Sequence, residues 1–192
     1  MRHAELRIGY LTDFAPFTFR GTRGAQGTLV ALLRGRSRVR FVAAGLEALP
    51  DMLHKGDIDA ILPKAMTPER SAAFDFSQPL AMTGAALFAP GPIAPAIAAA
   101  GAARIATPGT GPLAALLRAL APGCRVVSVA DYAAAFAAVA EGQADLAALN
   151  ADAGALMAGG RFTPGPRFAE LPLCLAARPG DGPRVFGRLG LT

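Results

Sequence analysis

An α/β fold of two similar lobes, with a cleft between them, is predicted by three observations. From residue 6 to residue 177, short apolar runs alternate with amphipathic stretches, the rhythm of strand–helix–strand units on largely parallel sheets. The pattern helix–Gly–x–x–Asp–strand occurs twice, as Gly56-Asp57-Ile58-Asp59 and as Gly142-Gln143-Ala144-Asp145. Between the two copies the composition changes at residues 89–102, where Pro90, Gly91, Pro92 and Pro95 gather. That stretch is the expected boundary, with lobe 1 formed by residues 1–88 plus 173–192 and lobe 2 by residues 89–172.

Each element has a local reason. The apolar run 6–11 predicts a strand. Residues 12–23, which hold Pro16, Gly21 and three phenylalanines, predict a loop or hairpin. A short helix is expected over 29–33 and a strand over 39–43. Leu46, Leu49, Met52 and Leu53 recur at helical spacing, which predicts a helix over 46–54 that Gly56 terminates. A buried strand follows at 58–62. Thr67 suits a helix cap and Pro68 the first helical position, so 68–73 is a helical turn. The strand 85–88 closes the first half. Beyond the boundary the expected order is strand 104–106, glycine turn 108–111, helix 113–121, strand 125–129, helix 132–141 ended by Gly142, strand 146–149, helix 152–158 ended by Gly159-Gly160, and strand 173–177. Residues 182–189 give only a short helix, interrupted by Gly187.

Composition narrows the function classes. The net charge is +5, yet Lys55 and Lys64 are the only lysines and most arginines are scattered. Arg34, Arg36, Arg38 and Arg40 alternate, which would place them on one face of a strand. No aromatic residues interleave with them to stack on bases, so a solvated edge is expected and no nucleic-acid partner. Two distant cysteines, Cys124 and Cys174, with only His3 and His54 for company, argue against a zinc site. The two cysteines form a disulfide in an oxidising compartment or stay as buried thiols, and both readings stand. No apolar run is long enough to span a membrane. Residues 1–11 lack the basic start, long apolar stretch and small-residue cleavage site of a secretory leader, which fits either a cytosolic chain or one without its leader. No serine or cysteine stands with a histidine and an acid in catalytic order, so neither an enzyme nor a bound cofactor is expected.

Five pieces of sequence occur in a telling order: Ile8-Gly9-Tyr10 with Asp13, Pro16-Phe17-Thr18-Phe19 and Gly27; 53–56 with Asp59; Thr67-Pro68-Glu69-Arg70 followed by Asp75-Phe76-Ser77-Gln78-Pro79; Gly109-Thr110-Gly111; and Gly142-Gln143-Ala144-Asp145. In this order the chain resembles the type II periplasmic solute-binding proteins of amino-acid ABC transporters, the family 3 type, in a shortened and divergent form. The resemblance implies a small-molecule ligand, a carboxylate or an amino acid, captured by hinge closure of two lobes. It implies delivery to the membrane permease of an ABC transporter, and so a periplasmic location. It implies that Arg70 clamps a ligand carboxylate, for which the planar guanidinium is suited, and that Thr67 lies beside it. It implies that the Thr110 and Gly111 turn donates to the same carboxylate from a helix N-terminus. Phe14 or Phe17 would pack on the ligand, and Asp13 would accept a hydrogen bond from it or cap the next turn. Asp75, Ser77, Asp59 and Asp145 are expected to be structural.

The chain also departs from the pattern. Amino-acid binders place an aspartate at the end of the strand that ends here in Asn150, where it balances the ligand's ammonium. Asparagine accepts hydrogen bonds but carries no charge, and Asp152 would take over only in a shifted register. Pro63-Lys64-Ala65-Met66 replaces a glycine and a hydroxyl residue before Thr67, which removes a backbone donor and adds a positive charge at Lys64. Together these changes keep anion recognition and weaken ammonium recognition. The same fold also serves as a sensor domain or as an accessory binding protein, for example of a periplasmic oxidoreductase. A cyclohexadienyl-dehydratase-like enzyme is a further alternative, with Glu69 as the acid to test. An effector domain of a transcription regulator would need a DNA-binding segment ahead of residue 6.

Overall fold

The computed structural model describes residues 5–191, so His3 and the extreme N-terminus lie outside the described residues. Two compact units result: one runs to Met82 and resumes at Leu171, and the other is Thr83–Glu170. In chain order, unit 1 contains β1 (Leu6–Leu11), β2 (Asp13–Phe14), β3 (Thr18–Gly21), β4 (Gly24–Gln26), α1 (Thr28–Leu33), β5 (Val39–Ala44), α2 (Ala48–Lys55), β6 (Ala60–Ala65), α3 (Pro68–Ser71) and β7 (Asp75–Phe76). The chain leaves unit 1 within β8 (Ala81–Ala89). Unit 2 adds α4 (Ile93–Ala99), a 3-10 turn at Ala100–Ala102, β9 (Arg104–Pro108), α5 (Leu113–Leu120), β10 (Arg125–Val129), α6 (Tyr132–Ala140), β11 (Leu146–Asn150), α7 (Ala151–Ala158) and β12 (Thr163–Pro164). The chain returns to unit 1 within β13 (Phe168–Ala177) and ends in α8 (Gly182–Leu189).

In unit 1, β1 lies between β5 and β6, parallel to both, and β6 pairs antiparallel with β13. Residues 12–26 fold into a small antiparallel sheet of β2, β3 and β4, where the sequence suggested a loop or hairpin. Leu49 and Leu53 of α2 and Leu29, Val30 and Leu33 of α1 are buried with Ile8 and Tyr10 of β1. Gly27, with φ 120°, brings its backbone so close to Phe17 that a Cβ would stand 2.2 Å from the Phe17 carbonyl oxygen, so only glycine fits. In unit 2, β9 lies between β10 and β11, parallel to both, and β11 pairs antiparallel with β8. Its core is a ladder of rings: Phe88 meets Phe136 edge to face at 5.5 Å, and Phe136 stacks on Phe162 at 4.6 Å. Gly154 of α7 permits the approach to Phe88, whose ring atoms lie 2.6 Å from where a Cβ would be.

Several elements differ from their sequence expectation, each for a physical reason. Strand β6 starts at Ala60, two residues later than expected, because the Asp57 and Ile58 amides fold back onto the Met52 carbonyl at the end of α2. The proline-rich stretch contains a helix the sequence did not suggest, α4: Pro95 occupies the first helical turn, where no intrahelical amide bond is required. Helix α8 runs unbroken through Gly187 and buries Val185, Phe186 and Leu189. Its N-terminus is held from a distance, since Asp75 Oδ2 accepts from the Gly180 and Gly182 amides at 2.8 and 2.9 Å. At the end of β7 the Ser77 amide donates to the Leu175 carbonyl, while the Leu175 amide donates to Ser77 Oγ, not to the Ser77 carbonyl. The hydroxyl thus completes the ladder as the main chain turns away. Both cysteines are free thiols, and burial pushes Cys174 up to about 11.

The repeated Gly–x–x–Asp motif has the same job in each unit. Asp59 accepts from the Arg7 amide at 2.8 Å and from its guanidinium, and the Asp59 amide returns a bond to the Arg7 carbonyl at 2.7 Å. Asp145 does the same with Arg104, at 2.7 Å from the amide and 2.7 Å from Nη2, with the return bond at 2.8 Å. The side chain of Asp59 is 12% exposed and that of Asp145 46%. Burial works against the Asp59 carboxylate, but the hydrogen bonds and charge of Arg7 outweigh it and hold the carboxyl below its ordinary range. A carboxyl lowered in this way stabilises the fold above its unfolded pKa, and that contribution is lost as pH falls through the native value. Asp59→Asn is therefore expected to cost about 1–3 kcal/mol in urea denaturation at neutral pH. Asp145→Asn should cost less. The Asp59→Asn deficit should shrink as pH drops below about 4. Equal losses at the two positions, or a deficit that persists in acid, would contradict this account of the clasp.

Candidate functional site

Parallel strands carry functional groups at their carboxyl ends, where side chains and helix starts converge. In unit 1 this edge holds Asp13 and Phe14 just past β1, and Lys64, Thr67 and Arg70 at and beyond the end of β6. Thr67 has extended backbone, and its hydroxyl accepts from the Arg70 amide at 3.4 Å, so it caps α3 as the Thr-Pro signature implies. The cap turns α3 back on β6, and Arg70 Nη1 donates to the Ala65 carbonyl at 3.0 Å. Lys64 Nζ lies 4.5 Å above the centre of the Phe74 ring. Burial first, and then the positive charge of Arg70, bring Lys64 down to about 8. Glu69 sits at the first turn of α3, where its own amide and the Thr67 hydroxyl lower its pKa. Lys64, Thr67 and Arg70 are thus brought together. Phe14 and Phe17 are buried in the hairpin with ring centres 5.4 Å apart, and Asp13 is exposed.

In unit 2 the corresponding edge carries the turn after β9 and the junction of β11 with α7. The turn is less open to an anion than the sequence suggested. The Gly109 amide donates to the Val129 carbonyl and the Gly111 amide to the Pro108 carbonyl, each at 3.0 Å. Thr110 is exposed at the tip. Asn150, only 3% exposed, is bonded within unit 2 through both its side-chain oxygen and its side-chain nitrogen. Its side-chain oxygen accepts from the Asp152 and Ala153 amides at 3.0 and 3.1 Å, capping α7, and its amide nitrogen donates to Thr83 Oγ1 at 3.0 Å. Thr83 Oγ1 donates onward to Asp152 Oδ2 at 2.7 Å, and Arg167 pairs with the other oxygen of Asp152. The sequence offered no local signal for Thr83, Arg167 or Phe74 as partners, because each is joined to the site by folding and not by spacing. Among the described residues no group of side chains has the composition to hold a metal ion, and no helix is long and apolar enough to cross a membrane.

The family model of the bacterial extracellular solute-binding proteins, family 3, matches residues 6–151. The chain belongs to this family. Among solved structures, the α/β fold of this family 3 protein is similar to that of an ancestral amino acid-binding protein described as a precursor of cyclohexadienyl dehydratase (22% identity, 96% of this chain and 86% of the other, TM-score 0.81). It is also similar to a histidine kinase sensor domain that resembles periplasmic binding proteins (22% identity, 98% and 88%, TM-score 0.83). A third similar structure is an ancestral arginine-binding protein bound to arginine (18% identity, 98% and 90%, TM-score 0.83). Identities this low carry the type II periplasmic-binding fold and nothing finer. No curated protein sequence matches the chain.

Within this family 3 protein, the balance of charge differs between the two edges. Unit 1 presents Lys64 beside Arg70, whereas in unit 2 the acid nearest the end of β11 is already held. Lys64 is lowered in the folded state, so protonating it works against folding; that penalty is present below about 8 and disappears towards the ordinary lysine value. The side chain of Lys64, followed by NMR of its ε-carbon, is expected to titrate near 8, and Arg70→Gln should shift that titration upward. A lysine titrating in the ordinary range, unmoved by Arg70→Gln, would contradict the coupling.

Proposed function

We propose that the chain is a binding protein for a small carboxylate that lacks an α-ammonium group, with Arg70 as the carboxylate clamp. The observation that carries this reading is the occupation of Asp152. A zwitterionic amino acid needs an acid to offset its ammonium, since a desolvated cation without a counter-charge is costly. The Asp152 carboxylate already faces Thr83 and Arg167, and Asn150 is used as a helix cap and a Thr83 partner. On unit 1, by contrast, a guanidinium and an ammonium stand at a strand end. The proposed ligand contacts on unit 1 are Arg70, Lys64 and Thr67, with Asp13, Phe14 and Phe17 at the neighbouring strand end. Those on unit 2 are Thr110, Gly111 and Asn150. Gly111 and Asn150 would have to contribute with groups their internal bonds leave available. The lowered Glu69 carboxyl suits a helix cap better than a proton donor, which favours binding over dehydration. Family membership supports delivery of the ligand to a membrane permease of an ABC transporter outside the cytoplasm.

A thermal-shift screen tests this. Short 2-hydroxy acids, 2-oxo acids and di-acids are expected to raise the melting temperature more than the matching amino acids, because a ligand of the native state alone stabilises it by linkage. Arg70→Ala should remove the shift while leaving a cooperative melt. A larger shift with an amino acid than with its deaminated counterpart would overturn the proposal.

A further inference from the structure

Lys64 is a half-buried ammonium on the cationic edge of unit 1. It occupies the penultimate position of β6, opposite Cys174 of β13. Cys174 is neutral there, since burial pushes its thiol up to about 11. From α3, Arg70 adds a second positive charge. The ring of Phe74 provides the surface beneath Lys64. Of the acids along the flanking chain, Asp59 is engaged with Arg7, Glu69 with its own amide and the Thr67 hydroxyl, and Asp75 with the Gly180 and Gly182 amides. Among the described residues no carboxylate pairs with Lys64. A single carboxylate on Arg70 would leave this ammonium without a counter-ion in a partly desolvated place, which is unfavourable. A second carboxylate on the ligand supplies Lys64 with that counter-ion.

We infer that Lys64 selects a dianionic ligand, a short dicarboxylate with one carboxylate on Arg70 and the second on Lys64. This rests on the reading of Arg70 as the carboxylate clamp and adds the identity of the ligand's second group. It also fixes a linkage. Only the protonated amine attracts the second carboxylate, so dicarboxylate binding draws a proton onto Lys64 near and above its midpoint, and affinity falls as pH rises further.

Calorimetric titration of the purified chain with succinate and glutarate, against propionate and butyrate, decides it. The dicarboxylates are expected to bind at least about tenfold more tightly than the monocarboxylates. Repeating the succinate titration at about pH 8.5 in buffers of different ionisation enthalpy should reveal proton uptake. Lys64→Met should weaken dicarboxylates at least about tenfold more than monocarboxylates and abolish the uptake. Lys64→Arg, which keeps the charge and guards against a folding defect in Lys64→Met, should keep the dicarboxylate preference and lose the uptake, because arginine stays charged. Equal affinity for mono- and dicarboxylates, or equal losses of both in Lys64→Met, overturns the dianion inference and leaves the Arg70 clamp standing. No binding of either class to the folded chain overturns both. A preference for inorganic phosphate over succinate overturns the dicarboxylate assignment.

Discussion

The register of each parallel sheet depends on one interaction, an arginine at the start of one strand gripping the aspartate that leads into its neighbour. Arg7 with Asp59 and Arg104 with Asp145 use the same atoms in the same way, combining a backbone pair with a forked side-chain contact. Two strands that set out together from such a clasp run in parallel and finish near each other. The end of β6 therefore emerges beside the end of β1, and the end of β11 beside the end of β9. The candidate site residues lie at or just past those carboxyl ends, so the clasp at the opposite end of the strands decides which side chains become neighbours.

The two units handle charge in opposite ways. In unit 2 the side chains of Asn150 and Asp152 at the β11 end are matched internally: Asn150 by α7 and Thr83, Asp152 by Thr83 and Arg167. In unit 1 Lys64 is supported by a ring, which stabilises a cation without neutralising it. A matched network rigidifies and asks nothing of a ligand. A supported but unneutralised cation favours an anion. This contrast carries more functional information than the likeness of the fold, which is common to an arginine-binding protein, a sensor domain and a precursor of an enzyme.

Much of the architecture was legible because it depends on local rules. The helical spacing of Leu49 and Leu53, the left-handed Gly56 that closes α2, and the Thr67-Pro68 start of α3 all act within a few residues of themselves. What was not legible depends on partners far away in sequence. No local rule tells that Asp75 will cap α8, that the Ser77 hydroxyl will replace its own carbonyl opposite Leu175, or that Arg167 will hold Asp152. The same distinction governs the site. Arg70 stood out through its motif and Asn150 through its departure from one, whereas the Phe74 ring beneath Lys64 and the prior claim on Asp152 appear only once the chain is folded. In the glycine turn at 109–111, likewise, only folding shows that the Gly109 and Gly111 amides are taken by the neighbouring backbone.

One feature of the chain path bears on how the protein comes to be folded at all. Unit 2 is a single uninterrupted stretch, Thr83–Glu170, while unit 1 is assembled from two pieces that flank it. Strand β6 meets its antiparallel neighbour only when Leu173 and Cys174 arrive opposite Ala65 and Lys64. A chain emerging from the ribosome can thus complete unit 2 while unit 1 still lacks its last strand and the helix that Asp75 caps. Domains tend to fold as units during synthesis, and pairings between distant segments form late because loop closure must come first. The cationic edge of unit 1 is accordingly among the last parts of the molecule to acquire its final surroundings, and a chain stalled or clipped just after Glu170 would carry a complete unit 2 and a unit 1 whose cationic edge is unfinished.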